Sequence, residues 1–481
     1  MEYEICIGLE THVQVKTRTK VFCACPTEFG AEPNSNVCPV CLGYPGSLPV
    51  INEEAIRKTV LAGMLVGGKI ARYSKFDRKN YFYPDMPKNY QISQYDLPLV
   101  IGGTVEYDFG VVDKKRLGET KVCHLTRIHL EEDVGKNSHF ERTSGVDFNR
   151  AGTPLMEIVS EPDLSSSDEA FAYLTALKEI LIYGGISDCD MEKGQVRCDV
   201  NISVRPKGQK ELGQKVEIKN MNTFSGVRHA IDYESQRQIE TLRRGGKLVQ
   251  ETRRWDDVAG VTESMRTKEH AHDYRYFPEP DLLPISLSNE WLAEVRKLVP
   301  ELPSAKRKRM VERYGIPLYD AGVLSADAAL ADYFEAAAQV SKNPKSVANW
   351  ICNDLLRDLA GANLVIGQSP VKPPHIAELV ELVDSGKISS KMAKDVFVEM
   401  FKAGKTPAAI VAEKGWVQVS DAGAIGKFCD EVIAANSKIV ADFKAGKEVA
   451  LNALTGQVMK LSKGKANPQA VRDALRGKLT G

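Results

Sequence analysis

The sequence lacks the features that mark several large protein classes. It has no apolar run of about 18 residues, which a membrane-spanning helix would need. It begins Met1-Glu2-Tyr3-Glu4, without the apolar core of a signal peptide. Its 64 Lys and Arg equal its 64 Asp and Glu, so no overall charge indicates a nucleic-acid partner. We therefore expect a cytoplasmic protein without membrane contact, in which any basic surface is local.

Common nucleotide-binding and hydrolase motifs are also missing. The segment from Gly63 to Ile70 nearly matches a P-loop, but Ile70 replaces the Ser or Thr that would hold magnesium, and Gly63 lies inside a helical pattern. There is no protein-kinase loop set, no G-x-S-x-G turn and no HExxH pair. If the chain uses ATP, some other arrangement of charged side chains must hold the phosphates.

Four segments alternate between apolar and polar residues, as half-buried strands do. Their polar positions are Glu10, His12 and Gln14; Arg127, His129 and Glu131; Arg197, Asp199 and Asn201; and Glu217 and Lys219. In one antiparallel sheet these side chains would share one face and form a wall suited to a cation together with a phosphoester. For any one strand alone, a solvated outer face is the simpler interpretation.

Basic residues in the neighbouring turn-rich segments could extend this wall. Arg78 and Lys79 lie between residues 76 and 90, a stretch with neither helical nor strand periodicity, and Arg150 lies in another such stretch. With Lys219, these residues would neutralise phosphate if ATP binds at the wall. The alternative is ordinary surface charge.

The four cysteines nearest the N-terminal strand form two close pairs. Cys23 and Cys25 are separated by 12 residues from Cys38 and Cys41. Two turns carrying such pairs can supply the four thiolates of a zinc site, which would be structural because no position stays open for substrate. A redox function of Cys38 and Cys41 is the alternative, but it leaves the other pair unexplained.

Helical patterns and composition predict an α+β protein with three parts. The N-terminal part, residues 1–292, combines the sheet and the cysteine knuckle with helices at Asn52–Gly67, Ser167–Tyr183 and Val227–Arg244. Residues 293–407 form a helical domain and 408–481 a small helical tail, in which Asn467 and Pro468 are placed as N-cap and first helical residue. The last 42 residues carry eight Lys or Arg and three Asp or Glu.

Eight segments together resemble one family, the B subunit of the aspartyl/glutamyl-tRNA(Asn/Gln) amidotransferase. They are residues 7–13, 75–85, 127–133, 149–157, 197–201, 273–281, 456–460 and 463–468. They extend over nearly the whole chain. The resemblance implies an N-terminal sheet-based cradle followed by helical domains.

The resemblance also implies an activity and partners. Members of this family act in a heterotrimer with an amidase-type A subunit and a small C subunit. They use ATP and Mg2+ to phosphorylate the side-chain carboxylate of glutamate on tRNA(Gln) or aspartate on tRNA(Asn), and ammonia released from glutamine then gives the amide. Two other functions stay open: a stand-alone zinc-containing RNA-binding protein, and a metal-dependent hydrolase built on Glu10, His12 and Asp199.

Site residues follow from the same resemblance. The catalytic set is Glu10, His12, Lys79, Glu132, Glu157 and Asp199; ATP or substrate would contact Arg78, Arg150, Asn201 and Lys219; and tRNA would contact Lys460, Lys463 and Lys465. The expected Mg2+ ligands are Glu10, His12, Glu157 and Asp199 with either Glu131 or Glu132. Strand phase favours Glu131 and the family resemblance Glu132. The four cysteines are the expected Zn2+ ligands.

Overall fold

The computed structural model describes residues 2–267, 274–416, 422–462 and 466–480, and it divides into two compact units, Met1–Ala305 and Lys306–Gly481. The strands, all in the first unit, are β1 (Tyr3–Gln14), β2 (Lys69–Ile70), β3 (Tyr73–Ser74), β4 (Asp77–Asn80), β5 (Tyr90–Ser93), β6 (Val100–Ile101), β7 (Thr104–Asp108), β8 (Thr120–Glu132), β9 (Lys136–His139), β10 (Ser144–Asp147), β11 (Pro154–Ser160), β12 (Val196–Pro206), β13 (Val216–Lys219), β14 (Glu251–Asp256), β15 (Val261–Thr267), β16 (Phe277–Pro278) and β17 (Ile285–Ser286).

Helices occur in both units. In chain order they are α1 (Glu53–Leu65), α2 (Ser167–Tyr183), α3 (Phe224–Arg243), α4 (Asn289–Arg296), α5 (Pro303–Tyr314), α6 (Leu318–Ser325), α7 (Ala328–Gln339), α8 (Pro344–Trp350), α9 (Leu356–Gly361), α10 (Pro373–Asp384), α11 (Ser390–Ala403), α12 (Pro407–Lys414), α13 (Ala422–Ala435), α14 (Ser437–Lys444), α15 (Val449–Leu461) and α16 (Pro468–Thr480). In the described part of the chain, none is long and apolar enough to cross a membrane.

A ten-stranded sheet organises the first unit. Its order is β15-β14-β13-β12-β1-β11-β8-β6-β2, with β7 paired to β8. The pairs are antiparallel except β13 with β14, which run parallel. Apolar positions such as Leu9, Val13 and Val200 are buried in one core with α1, α2 and α3. The predicted α+β class and the predicted buried face are therefore confirmed, and the polar phase lies on the other face.

The segment between residues 76 and 90 is more regular than its sequence predicts. Asp77–Asn80 forms β4, which pairs with β5 from Tyr90 and with β16. A strand of four residues is too short to show an alternating pattern. Its two adjacent basic residues, Arg78 and Lys79, point to different surroundings. This hairpin places Lys79 and Ser93 above the polar face.

The predicted helices of the first unit agree with the structure apart from their ends. Ser167–Tyr183 coincides with α2, while α1 ends at Leu65, before the predicted Gly67. Helix α3 begins at Phe224, three residues earlier than predicted, because the Thr223 hydroxyl caps it by accepting from the backbone N–H of Gly226.

The second unit contains two separate apolar cores. Helices α5 to α12 contribute to the first, which includes Ile410 and Val411, whereas α13, α15 and α16 form the second around Leu454. A π-helical turn, Ile351–Leu355, lies between α8 and α9. The Asn467 side chain accepts from the first-turn N–H groups of α16, as predicted. The domain limits at 292 and 407 stay predictions.

Candidate functional site

Histidines and carboxylates from three neighbouring strands meet on the polar face. The register places His12 of β1 opposite Glu157 of β11, and Glu157 opposite His129 of β8. His12 Nε2 lies 3.3 Å from Glu157 Oε2 and 4.0 Å from Glu131 Oε1. His129 Nε2 lies 3.5 Å from Glu131 and 3.6 Å from Glu157. We call His12, His129, Glu131 and Glu157 the carboxylate cluster.

Three members of this cluster are arranged as metal ligands would be. One ligand atom each from His12, Glu131 and Glu157 lies within 4.8 Å of the others. Burial alone would raise the pKa of Glu157, but its hydrogen bond with His12 and the charges of His129, His12 and Lys79 hold that pKa below its usual range. Burial likewise opposes ionisation of Glu131, but His129 and Lys79 hold its pKa below the usual range, so both carboxylates stay ionised, as a hard divalent cation requires.

The β4–β5 hairpin adds a cation and a hydroxyl to the cluster. Lys79 on β4 acts electrostatically on both Glu131 and Glu157, and its Nζ lies 5.2 Å from the centre of the Tyr274 ring. The Ser93 hydroxyl donates to Glu131 Oε2 at 3.0 Å. A positive charge thus stands beside the carboxylates, where it can also attract phosphate.

A second polar group lies on the same face, between β1, β12 and β13. Asn201 Nδ2 donates to Glu10 Oε1 at 2.8 Å, and Lys219 Nζ lies 2.6 Å from Asp199 and 3.2 Å from Glu217. The Oδ1 atom of Asn201 is buried and has no hydrogen-bond partner among the described residues. Glu10 and Asp199 therefore share the wall with the carboxylate cluster, but they are paired with their own neighbours.

Glu132 lies on the opposite phase of β8 from Glu131. Its carboxylate is bound by Lys88 Nζ at 2.5 Å and by the backbone N–H of Ile92 at 2.9 Å. The side chain lines a cavity beside Cys23 and Cys41 rather than joining the carboxylate cluster. Alternation along the strand explains this position, because Ile128 and Leu130 on the same phase are core residues.

The two arginines predicted to bind phosphate, Arg78 and Arg150, make intramolecular hydrogen bonds. Arg78 donates to both oxygens of the buried Glu279 at 2.7 and 2.8 Å and lies 4.2 Å from the Tyr90 ring centre. Arg150 donates to the backbone carbonyls of Val134 at 3.0 Å and Gly135 at 2.7 Å. Lys79, the neighbour of Arg78, is the one that reaches the cluster.

Sequence reasoning did not select several residues that complete the site. His129 belongs to the cluster; strand phase placed it on the polar wall, but it was not included among the expected catalytic or metal-binding residues. Asp133, on the same phase, accepts from Gln14 Nε2 and Arg197 Nη2, each at 2.8 Å. Burial opposes ionisation of Asp133, but Arg197 and Arg150 hold its pKa below the usual range. Ser93 carried no signal, since only the hairpin brings it to Glu131.

The four predicted cysteines converge. The Sγ atoms of Cys23, Cys25, Cys38 and Cys41 all lie within 4.8 Å of one another, close to the spacing that a tetrahedral metal imposes. A hydrogen bond with Cys23, the backbone N–H of Cys38 and the nearby Lys20 ammonium lower the pKa of Cys41 to about 4, against the effect of burial. The residues therefore fit a structural metal site with thiolate ligands.

The predicted tRNA contacts stay predictions. Lys460 lies exposed near the end of α15. Lys463 and Lys465 lie outside the described residues.

Comparison with known proteins agrees with this architecture. Residues 5–293 match the family model of the GatB/GatE catalytic domain, and residues 332–479 match that of the GatB domain. The chain belongs to the GatB/GatE family. The first match contains the whole polar wall and the cysteine site, and the second contains most of the second unit.

Several proteins are similar to this chain over nearly its full length. The chain is 56% identical to the B subunit of the aspartyl/glutamyl-tRNA(Asn/Gln) amidotransferase of Carboxydothermus hydrogenoformans, over 99% of each protein. It is 54% identical to the protein of the same name from Methylacidiphilum infernorum, over 99% of this chain and 98% of that protein. A third, from Persephonella marina, is 54% identical over 99% of both.

Proposed function

We propose that the chain is the B subunit of a glutamine-hydrolysing tRNA amidotransferase, a carbon–nitrogen ligase active as a complex. Its proposed substrates are glutamate attached to tRNA(Gln), aspartate attached to tRNA(Asn), or both, and ATP. An amidase-type A subunit would supply ammonia, and a small C subunit would complete the heterotrimer. The observation that carries the proposal is the convergence of His12, Glu131 and Glu157 beside Lys79 on the polar face.

This geometry suits the activation of a carboxylate. A carboxylate reacts poorly with ammonia, because its leaving group would be an oxide ion. Transfer of the γ-phosphoryl group of ATP to a carboxylate oxygen releases ADP and gives an acyl phosphate. Ammonia then attacks the acyl carbon, phosphate leaves and the amide forms. Lys79 would attract the phosphoryl oxygens, and the ionised cluster would hold Mg2+, which offsets the repulsion between phosphate and carboxylate.

The two alternative functions explain less of the structure. A stand-alone RNA-binding protein has no need for two ionised carboxylates on the buried part of a sheet face. A hydrolase built on Glu10, His12 and Asp199 would need these three groups together, whereas Glu10 and Asp199 are bound by Asn201 and Lys219. The full-length similarity to amidotransferase B subunits also favours the main proposal.

A hydroxylamine-trapping experiment tests the proposal. The purified heterotrimer, supplied with ATP, Mg2+ and misacylated tRNA but no glutamine, should form an acyl phosphate that hydroxylamine converts, with release of phosphate, to the side-chain hydroxamate of the amino acid. This product should not form without ATP, whereas the hydroxamate from attack on the aminoacyl ester forms in either case. ADP release should depend on the misacylated tRNA and stay low with correctly charged tRNA. ATP hydrolysis without any dependence on tRNA would favour the hydrolase instead.

We further propose that the four cysteines hold one structural Zn2+, and we expect the variant Cys38→Ser to lose it. The binding free energy of a structural zinc contributes directly to folding, so this variant should also unfold at a lower temperature. Metal analysis and calorimetry of the purified chain measure both effects. Cys352→Ser, which changes a cysteine of the second unit, is the matched control and should keep the metal. A native protein without zinc would contradict this assignment.

We also propose that the last helical core binds the tRNA body. Truncation after Trp416 removes α13 to α16 but keeps Ile410 and Val411, which pack in the preceding core. Loss of the basic tail should raise the KM for misacylated tRNA by about tenfold and flatten its dependence on salt, because phosphate contacts release counter-ions. Glutaminase activity should persist. Equal tRNA affinity of the truncated and full-length complexes at low and moderate salt would remove the tail from the binding surface.

A further inference from the structure

Lys20 is fully buried, which is rare for a lysine. Its Nζ lies 3.5 Å from Cys41 Sγ and donates to the carbonyl oxygen of Phe148 at 3.3 Å. The nearby carboxylate of Glu132 lines the same cavity but is bound by Lys88 and by the backbone of Ile92. Within the described residues, the hydrogen-bond acceptors of this buried ammonium are thus a cysteine sulfur and a carbonyl oxygen.

The charge of the cysteine site explains why an ammonium is stable there. A buried cation costs several kcal/mol unless an anion lies next to it. Four thiolates around one divalent cation leave about two negative charges. Cys41 Sγ also accepts a hydrogen bond from the backbone N–H of Cys38 at 3.2 Å. Two donors, this N–H and the Lys20 ammonium, therefore contact the same sulfur. Lys20 would therefore offset part of the negative charge that four thiolates leave around a bound divalent cation.

The same lysine joins the cysteine site to residues 146–153. Besides the Lys20 contact with Phe148, the backbone N–H of Val21 donates to the carbonyl of Gly152 at 2.9 Å. From the loop between the cysteine pairs, Asn34 Nδ2 donates to the carbonyl of Val146 at 3.0 Å, and the backbone N–H of Asn36 donates to Asn149 Oδ1 at 2.8 Å. Folding of the cysteine loop thus holds this segment at both ends.

Residues 146–153 in turn hold the edge of the polar wall. The backbone N–H of Gly152 donates to the carbonyl of Asp133 at 2.9 Å, and Arg150 binds the carbonyls that follow Asp133. The Asp133 carboxylate binds Arg197, and Arg197 lies opposite His12 in the sheet. A continuous set of hydrogen bonds therefore runs from the cysteines to the carboxylate cluster.

We propose that Lys20 is the internal counter-ion of the four-cysteine metal site, and that through it the bound metal fixes residues 146–153 and the position of Asp133 beside the carboxylate cluster. Lys20 is a positioning residue and takes no part in the phosphoryl or ammonia transfer. The proposal rests on the proposed zinc site and is independent of which tRNA the complex serves.

Zinc release from the full-length chain tests the counter-ion. Lys20→Met keeps the length of the side chain but removes its charge, and should release zinc to a chromogenic chelator at least about tenfold faster than the native chain, the usual effect of removing a residue that supports a metal ligand. Hydrogen exchange of residues 146–153 should rise as well. The matched control is Lys16→Met, since Lys16 forms an exposed ion pair with Asp188 and should leave both measurements unchanged.

The outcomes separate this inference from the zinc assignment. A native chain without zinc contradicts the zinc site itself. If the native chain holds zinc and the Lys20→Met chain releases zinc at the native rate, the proposal that Lys20 is the counter-ion is overturned. If Lys20→Met does not fold, hydrogen exchange of the native chain after removal of zinc by a chelator decides. Increased exchange at residues 146–153, with unchanged exchange in α11, supports the connection between the metal site and this segment. Unchanged exchange at residues 146–153 overturns it.

Discussion

Replacing Glu157 with Gln is expected to lower the rate of tRNA-dependent amidation by the assembled complex on the order of a thousandfold, as removal of a group that stabilises transferred charge does. The substitution keeps the size of the side chain and its capacity to contact His12, but removes one of the two buried negative charges in the cluster. A divalent cation would then be held by fewer anionic ligands. Single-turnover formation of the amidated tRNA measures the effect.

Glutaminase activity and Mn2+ binding show whether the loss has this cause. The glutaminase reaction belongs to the proposed A subunit and should survive in the Glu157→Gln complex, while Mn2+ binding followed by electron paramagnetic resonance should weaken. Glu4→Gln is the matched control: Glu4 lies on β1 in the same phase as His12, but pairs with Arg205. Native amidation by Glu157→Gln, or an equal loss in both variants, would contradict the assignment of the cluster.

The sequence could predict on which face of the sheet the site residues lie, because strand phase decides this. Alternation places Glu10, His12, Asn201 and Asp199 on one face, and the structure puts them there. Phase also distinguishes Glu131, which joins the cluster, from Glu132, which faces Lys88. These conclusions need only the two-residue period of a strand.

The periodicity of the sequence could not predict which distant segments pair with each other. The register that sets His12 opposite Glu157 joins residues 145 positions apart, and alternation along one strand carries no information about its neighbour. The hairpin of β4 and β5 is too short to show a period, so Arg78 and Lys79 looked equivalent. Lys20 gave no signal, because a single lysine after a strand is ordinarily a surface residue.

Replacing Arg78 with Met is expected to destabilise the first unit by about 3 kcal/mol, a larger stability change than a surface charge would give. Arg78 binds Glu279, whose side chain is fully buried, and loss of the guanidinium leaves that carboxylate without its cation. The main consequence should be loss of folded protein, with little change in the KM for ATP once the folded fraction is taken into account. Hydrogen exchange of the β4 and β5 amides measures the stability change.

Two further variants decide between a structural and a phosphate-binding role of Arg78. Arg254→Met removes an arginine from the exposed pair with Glu263 and should change the stability much less than Arg78→Met does. Adding Glu279→Gln to Arg78→Met removes the stranded negative charge and should recover part of the lost stability, because the penalty comes from that charge. A phosphate-binding arginine would behave differently: Arg78→Met would then raise the KM for ATP at native stability, and the second substitution would restore nothing.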